Sequence, residues 1–189
     1  MLFLEKYNNK KNIRFKSIEF ALNEAKKRNH KTLVETGVAR GKVKFIFFSK
    51  INWKDGMSTM IFSDYARHQM GELNSCDISS RNVKNAKKFT KKNNDFINFF
   101  VDDSLSFLNN FTKEIDFLYL DSLDGQFEGA SLHQLKEIQI AIKNLKPGSL
   151  VLLDDKGSKT KLSIDYMLNN HFHLINETNE QVLFSYKTA

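Results

Sequence analysis

The sequence predicts an α/β fold: an open, mostly parallel sheet with helices on both faces, closed by a C-terminal antiparallel hairpin. Three observations carry this reading. After a first helix, apolar runs of strand length alternate with helix-periodic segments five times. The strands, above all "IDFLYLDS" and "SLVLLDD", are apolar without alternation, as strands covered on both faces are. The last two strands are joined too tightly for a crossover and must run antiparallel to each other.

The elements follow in order. Residues 15–28 place Phe15, Ile18, Leu22 and Ala25 at helical spacing. "TLVET" (32–36) is a short strand that feeds a glycine turn at Gly37. Such a turn normally opens a helix directly. Here "KVKFIFFSKINWK" (42–54) intervenes, and a second glycine turn, Asp55-Gly56-Met57-Ser58-Thr59, precedes a helix over 58–70 with Ser58 as its expected N-cap. "ELNSCDI" is a strand ending in Asp77, and residues 79–94 form a helix capped by Ser79 or Ser80. "DFINFFVDD" is a strand, "SLSFLNNF" a short helix and "IDFLYLDS" a strand ending at Asp121. A long helix over 127–145 stops at Pro147-Gly148. "SLVLLDD" then ends at Asp154 and Asp155, a helix lies near 159–169, and "HFHLINE" and "EQVLFSYK" form the hairpin.

The chain's 189 residues, 41% of them hydrophobic, suit a single domain. No apolar run approaches the roughly 20 residues of a membrane span. "MLFLEKYNNKK" is apolar for only a few residues before Glu5, too short for a secretory signal. A lone cysteine, Cys76, fits a reducing compartment, and a cytoplasmic location is expected. The net charge of +7 is uneven: residues 1–100 hold 21 Lys and Arg against 9 Asp and Glu, residues 101–189 hold 8 against 13. Lys84, Lys87, Lys88, Lys91 and Lys92 would share one helix face that could meet phosphates, although a solvated face is the simpler reading. His68, His133, His171 and His173 show no metal-ligand spacing and are expected on the surface or in the core.

Five strands end in acids: Glu35, Asp77, Asp102/Asp103, Asp121 and Asp154/Asp155. Ligands of open parallel sheets bind beyond these carboxyl ends. One such acid can simply cap a helix or meet solvent, as Asp77 and Asp103 would. All of them at one edge point to a ligand with hydroxyls, amines, positive charge or a metal. Asp77 sits where a carboxylate accepts both ribose hydroxyls. Asp103 and Ser104 can bind an adenine amine and ring nitrogen. The pattern acid-x-Gly-x-x-x-Gly (Glu35, Gly37, Gly41) lacks the tight diphosphate turn of a dinucleotide site. An acid beneath the ligand's centre suits an amino group or a sulfonium.

At this point the chain resembles class I S-adenosylmethionine-dependent methyltransferases. The matching pieces are "VETGVARG" with "DGMST", then "SCDIS", "VDDSLSFL", "IDFLYLDS" and "LKPGSLVLLDD", in order from about Leu33 to the closing hairpin. The resemblance implies a Rossmann-like seven-stranded sheet whose last strand is antiparallel, and S-adenosylmethionine as cofactor. It assigns Glu35 and Gly37 to the methionine part, Asp77 to the ribose, Asp103 with Ser104 to the adenine, and Asp121 to the neighbourhood of the methyl group. Thr36, Ser58 and Ile78 complete the cofactor-binding set. Two features depart from the family: the insertion after Gly41, and a doubled Asp102-Asp103 where Gly-Asp is common. Either aspartate can therefore be the adenine contact.

The strand ends are also similar to the catechol O-methyltransferase branch, where an Asp and an Asp-Asn pair hold Mg²⁺. That likeness names Asp121, Asp154 and Asp155 as ligands for Mg²⁺ or another divalent cation. The competing role for the same three is catalytic, as base or acceptor clamp. Lys156 would hold an anionic acceptor or face solvent. The expected activity is methyl transfer to a small-molecule acceptor, at oxygen, because no extra domain is present to grip a macromolecule. The alternatives are an RNA or protein methyltransferase, or a cofactor-binding protein without catalysis. Asp121-Ser122-Leu123-Asp124 replaces the Asn/Asp-Pro-Pro-aromatic run of base-amine methyltransferases and argues against that chemistry. The 42–54 insertion is expected either as a lid over the cofactor or as a packed segment. It and the first helix are the candidate contacts in a homo-oligomer.

Overall fold

In the computed structural model, residues 1–45, 48–53 and 57–187 are described. A seven-stranded sheet runs in the order β5-β4-β1-β6-β7-β9-β8. Its members are β1 (Thr32–Thr36), β4 (Glu72–Asp77), β5 (Ile97–Val101), β6 (Ile115–Leu120), β7 (Leu145–Leu153), β8 (Phe172–Glu177) and β9 (Val182–Tyr186). The β5-β4-β1-β6-β7 pairs are parallel, and β9 runs antiparallel to both β7 and β8. This is the α/β Rossmann-like architecture with its closing antiparallel strands. Two short strands, β2 (Lys42–Phe45) and β3 (Phe48–Ile51), form a separate antiparallel pair.

The unalternating strands do cover both faces. Leu33, Phe117, Tyr119, Leu150 and Leu152 pack with Phe15, Ile18 and Leu22 of α1 (Phe15–Lys27) and with Phe62 and Tyr65 of α2 (Ser58–Gln69). Val34, Leu118, Leu120, Val151 and Leu153 point the other way, onto Phe107 and Leu108 of α4 (Ser104–Asn110), Ile138 of α5 (Ala130–Ala141) and Met167 of α6 (Lys161–Leu168). Each fully buried side chain of this size contributes roughly 1.5–3 kcal/mol. The central strands are therefore the rigid frame that holds their own C-terminal ends in place.

Several boundaries move from the sequence expectation, each for a local reason. The third helix, α3 (Ser80–Phe89), stops early at Thr90, whose hydroxyl bonds back to the Ala86 carbonyl (2.8 Å), and a 3-10 turn follows at Lys91–Phe96. The five-lysine face is therefore not one helix face. Lys92 turns to Asp64 (3.1 Å), and Lys87 lies over the Phe99 ring. Helix α5 starts at Ala130 and ends at Ala141, and β7 already begins at Leu145. Pro147 and Gly148 fall within β7, where the register against β6 shifts and Ser149 donates to the Ile115 carbonyl. Ser58 does not cap α2. Met57, in the left-handed conformation, precedes that helix, and the Ser58 hydroxyl is turned to Glu35.

Of the insertion, Ile46, Phe47 and Lys54 lie outside the described residues, as do Asp55 and Gly56 of the second glycine turn. The Asn52 amide donates to the Gly41 carbonyl (2.9 Å) and closes the base of the β2–β3 hairpin. Trp53 packs edge-on against Tyr7, with ring centroids 6.5 Å apart. No helix of the described residues is long and apolar enough to cross a membrane.

Candidate active site

Two adjoining cavities open at the C-terminal ends of β1, β4 and β6. The larger, about 360 Å³, runs past Gly37–Arg40, Asp77–Ser79, Asn82, Asp121, Ser122 and Asp124 to Arg14 and Asp155. The smaller, about 210 Å³, is bounded by Cys76, Asp102, Asp103, Ser104, Leu123 and His133. Gly37, Asp77, Ile78 and Ser122 belong to both.

Gly37 forms the wall between them, and the backbone there is pinned on both sides. Its amide donates to the Cys76 carbonyl of β4 (2.8 Å), and the Asp121 amide donates to the Thr36 carbonyl (2.9 Å). Gly37 has φ +84°, and a side chain on it would meet the Asp121 carbonyl oxygen at 2.1 Å. Asp77 holds the opposite wall. It accepts from the Ser79 amide (2.7 Å), from the Val38 amide (3.1 Å) and from the Asn82 side chain. The carboxylate thus ties the glycine loop to the start of α3, where Ser79 is the cap. Beside it, Ile78 is 75% exposed and offers an apolar face to both cavities.

Glu35 and Thr36 lie beneath the loop, not in the cavities. Glu35 is fully buried and accepts from the hydroxyls of Ser58 (2.5 Å), Thr59 (2.8 Å) and Ser75 (2.6 Å). The Thr59 hydroxyl also accepts from the Ala39 amide (2.8 Å), so Glu35 braces both arms of the split glycine loop through these hydroxyls. Burial pushes its carboxyl up to about 7, against the three donors that pull it down. An acid raised on folding favours the folded state below its unfolded pKa, near 4.5. That contribution is lost as pH rises through about 7. Relative to Glu35→Gln, wild-type stability should therefore fall by about 3 kcal/mol between pH 4.5 and pH 8. Urea denaturation across that range measures it, and a pH-independent difference contradicts the assignment.

In the smaller cavity, Asp103 caps α4 by accepting from the Leu105 and Ser106 amides (3.0 and 3.1 Å). Asp102 accepts from the Asp103 amide (2.8 Å). The Ser104 hydroxyl lies 2.9 Å from His133 Nε2. Behind them, Glu137 is 1% exposed. Burial raises its pKa, countered by His133 and by the hydroxyls of Ser104, Ser122 and Thr36. The buried Cys76 thiol faces the Asp102 carbonyl, and burial pushes it up to about 12, so it is inert packing. His133, expected on the surface or in the core, lines this cavity instead. His68 stacks on Phe3.

At the far end of the larger cavity, Asp121, Asp154 and Asp155 converge, one oxygen of each within 4.8 Å of the others. Two cations that the motifs did not reveal are set among them. Arg14 Nε bonds both oxygens of Asp154 (2.7 and 2.9 Å), and its Nη2 bonds Asp155 (2.7 Å). Lys159 Nζ bonds Asp121 (3.0 Å) and Asp155 (3.3 Å). Asp154 is 1% exposed and also accepts from Gln181, which the tight Thr178–Gln181 turn between β8 and β9 presents to it. Burial and the Asp154 charge raise the Asp121 pKa well above the ordinary range, and Lys159 offsets part of this. Over the mouth, Arg40 of the glycine loop pairs with Asp124 (2.5 Å). Lys156 pairs with Glu177 (2.6 Å), away from the cavities.

Known structures share this frame. An S-adenosylhomocysteine-bound methyltransferase from Podospora anserina superposes with a TM-score of 0.64 at 12% identity, over 89% of this chain and 77% of that one. An rRNA methylase from Streptococcus thermophilus gives 0.63 at 10% identity, over 90% and 96%. The N-methyltransferase NodS from Bradyrhizobium japonicum, solved with S-adenosylhomocysteine, gives 0.60 at 14% identity, over 98% and 97%. No curated protein matches the chain. Residues 34–156, which carry the glycine loop, Asp77, Asp103 and the three convergent carboxylates, match the family model of a methyltransferase domain. The chain belongs to that family, the class I S-adenosylmethionine-dependent methyltransferases.

Proposed function

We propose that the chain transfers the methyl group of S-adenosylmethionine to an oxygen of a small polar acceptor. The observation that carries this reading is Asp121. It lies on the wall of the larger cavity, next to the Gly37 wall shared with the smaller one, and burial beside Asp154 raises its pKa, which makes its carboxylate a stronger base.

The residues divide the work. Asp77 is the ribose acceptor, and Ile78 gives the flat ligand an apolar side. Asp103, Ser104 and His133 bound the adenine end, with the backbone around Asp102. Gly37 leaves room for the methionine part, while Glu35, Thr36 and Ser58 act from below the loop by fixing it. The cofactor supplies a methyl group on a positively charged sulfur, a good leaving group. The protein's share is alignment, which can supply roughly 7–11 kcal/mol, and removal of the acceptor's proton by Asp121. Arg14 and Asp155, at the open end of the larger cavity beyond the cofactor-binding residues, meet the acceptor's polar groups.

Asp77→Ala should weaken S-adenosylhomocysteine binding by about 10- to 100-fold, the effect of losing charge-assisted hydrogen bonds. Calorimetry measures it, and unchanged affinity refutes the ribose assignment. The neighbours' acceptors differ in kind, so an acceptor screen should include small hydroxyl compounds, amines and RNA. Transfer only to RNA, with affinity falling steeply with salt, would replace the small-molecule reading.

A further inference from the structure

The convergent carboxylates have the composition of a divalent-cation site, but five of their six oxygens are already engaged. Mg²⁺ requires about six oxygen ligands at near-ideal octahedral geometry. Both oxygens of Asp154 are held by Arg14, and one also accepts from Gln181 (2.7 Å). One oxygen of Asp155 is held by Arg14 and the other by Lys159. Asp121 is held by Lys159. The Lys159 side chain is only 2% exposed, so it cannot swing into solvent without opening the packing around it. Gln181 is itself fixed by Ser17 of α1 and by the Tyr119 hydroxyl. An ion placed among the three acids would stand against two resident positive charges, in a site where charges are poorly screened.

The sequence origin of those charges matters. Arg14 precedes α1 and Lys159 precedes α6, and both lie outside residues 34–156 that match the family model. The carboxylates belong to the family's segment, and the cations are brought to them by the flanking parts of the chain.

We propose that Arg14 and Lys159 stand in for a divalent cation, so that this protein binds no metal among Asp121, Asp154 and Asp155, and that removing either cation uncovers a latent metal site there. For the reaction, this inference rests on the methyl-transfer reading: the acceptor is then oriented and deprotonated without a metal, and transfer survives a chelator. The metal-binding part stands apart from that reading.

The test is Mn²⁺ binding followed by electron paramagnetic resonance, on wild type, Asp121→Asn, Lys159→Met, Arg14→Met and the double variant Lys159→Met/Asp121→Asn. The expected result has three parts. Wild type and Asp121→Asn take up Mn²⁺ equally weakly. Lys159→Met or Arg14→Met gains at least about tenfold in affinity. The double variant loses the gain. Tight wild-type binding that Asp121→Asn removes overturns the proposal, whatever the other variants do. So does the absence of any gain in Lys159→Met and Arg14→Met when both are folded. If neither folds, the wild-type and Asp121→Asn pair decides: a difference overturns the proposal and equality supports it. S-adenosylhomocysteine binding on the same wild-type sample tests the methyl-transfer reading separately.

Discussion

Gly37→Ala will destabilise the protein by more than about 2 kcal/mol and lower its affinity for S-adenosylhomocysteine at least tenfold. The cause is local and has two parts. The residue sits at φ +84°, where an L side chain is strained by about 1–2 kcal/mol. The added carbon would also lie 2.1 Å from the Asp121 carbonyl oxygen and 2.6 Å from its carbon, both backbone atoms with no rotamer to retreat into. Relief requires β1 and β6 to part at their C-terminal ends, where the two cavities meet. Gly41→Ala is the control. It also has positive φ (+77°), but the added carbon meets the Phe89 ring, a side chain that can yield. Denaturation and calorimetry on both variants check the expectation, and near-wild-type affinity in Gly37→Ala contradicts it.

Asp64→Ala will cost about 2–3 kcal/mol of stability, the loss expected when two buried donors, the Tyr7 hydroxyl and the Asn93 amide, are left without their acceptor. Asp64 lies on α2 with its side chain fully buried. It accepts from the Tyr7 hydroxyl (2.5 Å) and the Asn93 amide (2.7 Å), and it pairs with Lys6, with Lys92 (3.1 Å) and with Arg67 (3.8 Å). Without it, Lys6, Lys92 and Arg67 are left facing one another, and the N-terminal 3-10 turn (Leu2–Tyr7) loses its anchor on α2. Burial works against the Asp64 charge, but the hydrogen bonds from Lys6, Tyr7, Asn93 and Lys92 outweigh it and hold the carboxyl well below its ordinary 3.8. A depressed acid stabilises the fold above its unfolded pKa. This contribution is therefore present at neutral pH and lost as pH falls below about 4. The stability gap between wild type and Asp64→Ala should narrow in acid, and a gap that widens there would contradict the assignment.

The fold was legible because its signals are local. Unalternating apolar strands such as Phe117–Leu120 report burial on both faces without reference to any partner. A tight polar turn forces Glu177 and Val182 onto neighbouring antiparallel strands. The strand-end acids were legible for the same reason: topology sends all parallel strand ends to one edge, so Asp77, Asp121 and Asp155 arrive there wherever the helices lie. Boundaries were less legible. Helix α3 ends at Phe89, where the Thr90 hydroxyl bonds back to Ala86. Periodicity does not register such a bond.

What each acid does once it arrives could not be read from the chain. Glu35 has the same residue type and strand-end position as a ligand-facing acid, yet three hydroxyls from α2 and β4 seal it under the loop. His133 reads as an ordinary helical histidine until α5 is docked beside Ser104. Arg14 lies 140 residues from Asp154, and no spacing rule spans that separation. The sequence by itself determined the α/β architecture, the glycine loop and the sheet edge at which the acids gather, because these depend on short-range pattern and strand direction. Only the tertiary structure decided which carboxylates face the cavities, which are braces, and that two cations sit among the last three. Charge compensation depends on distances of about 3 Å between atoms, and packing sets those distances.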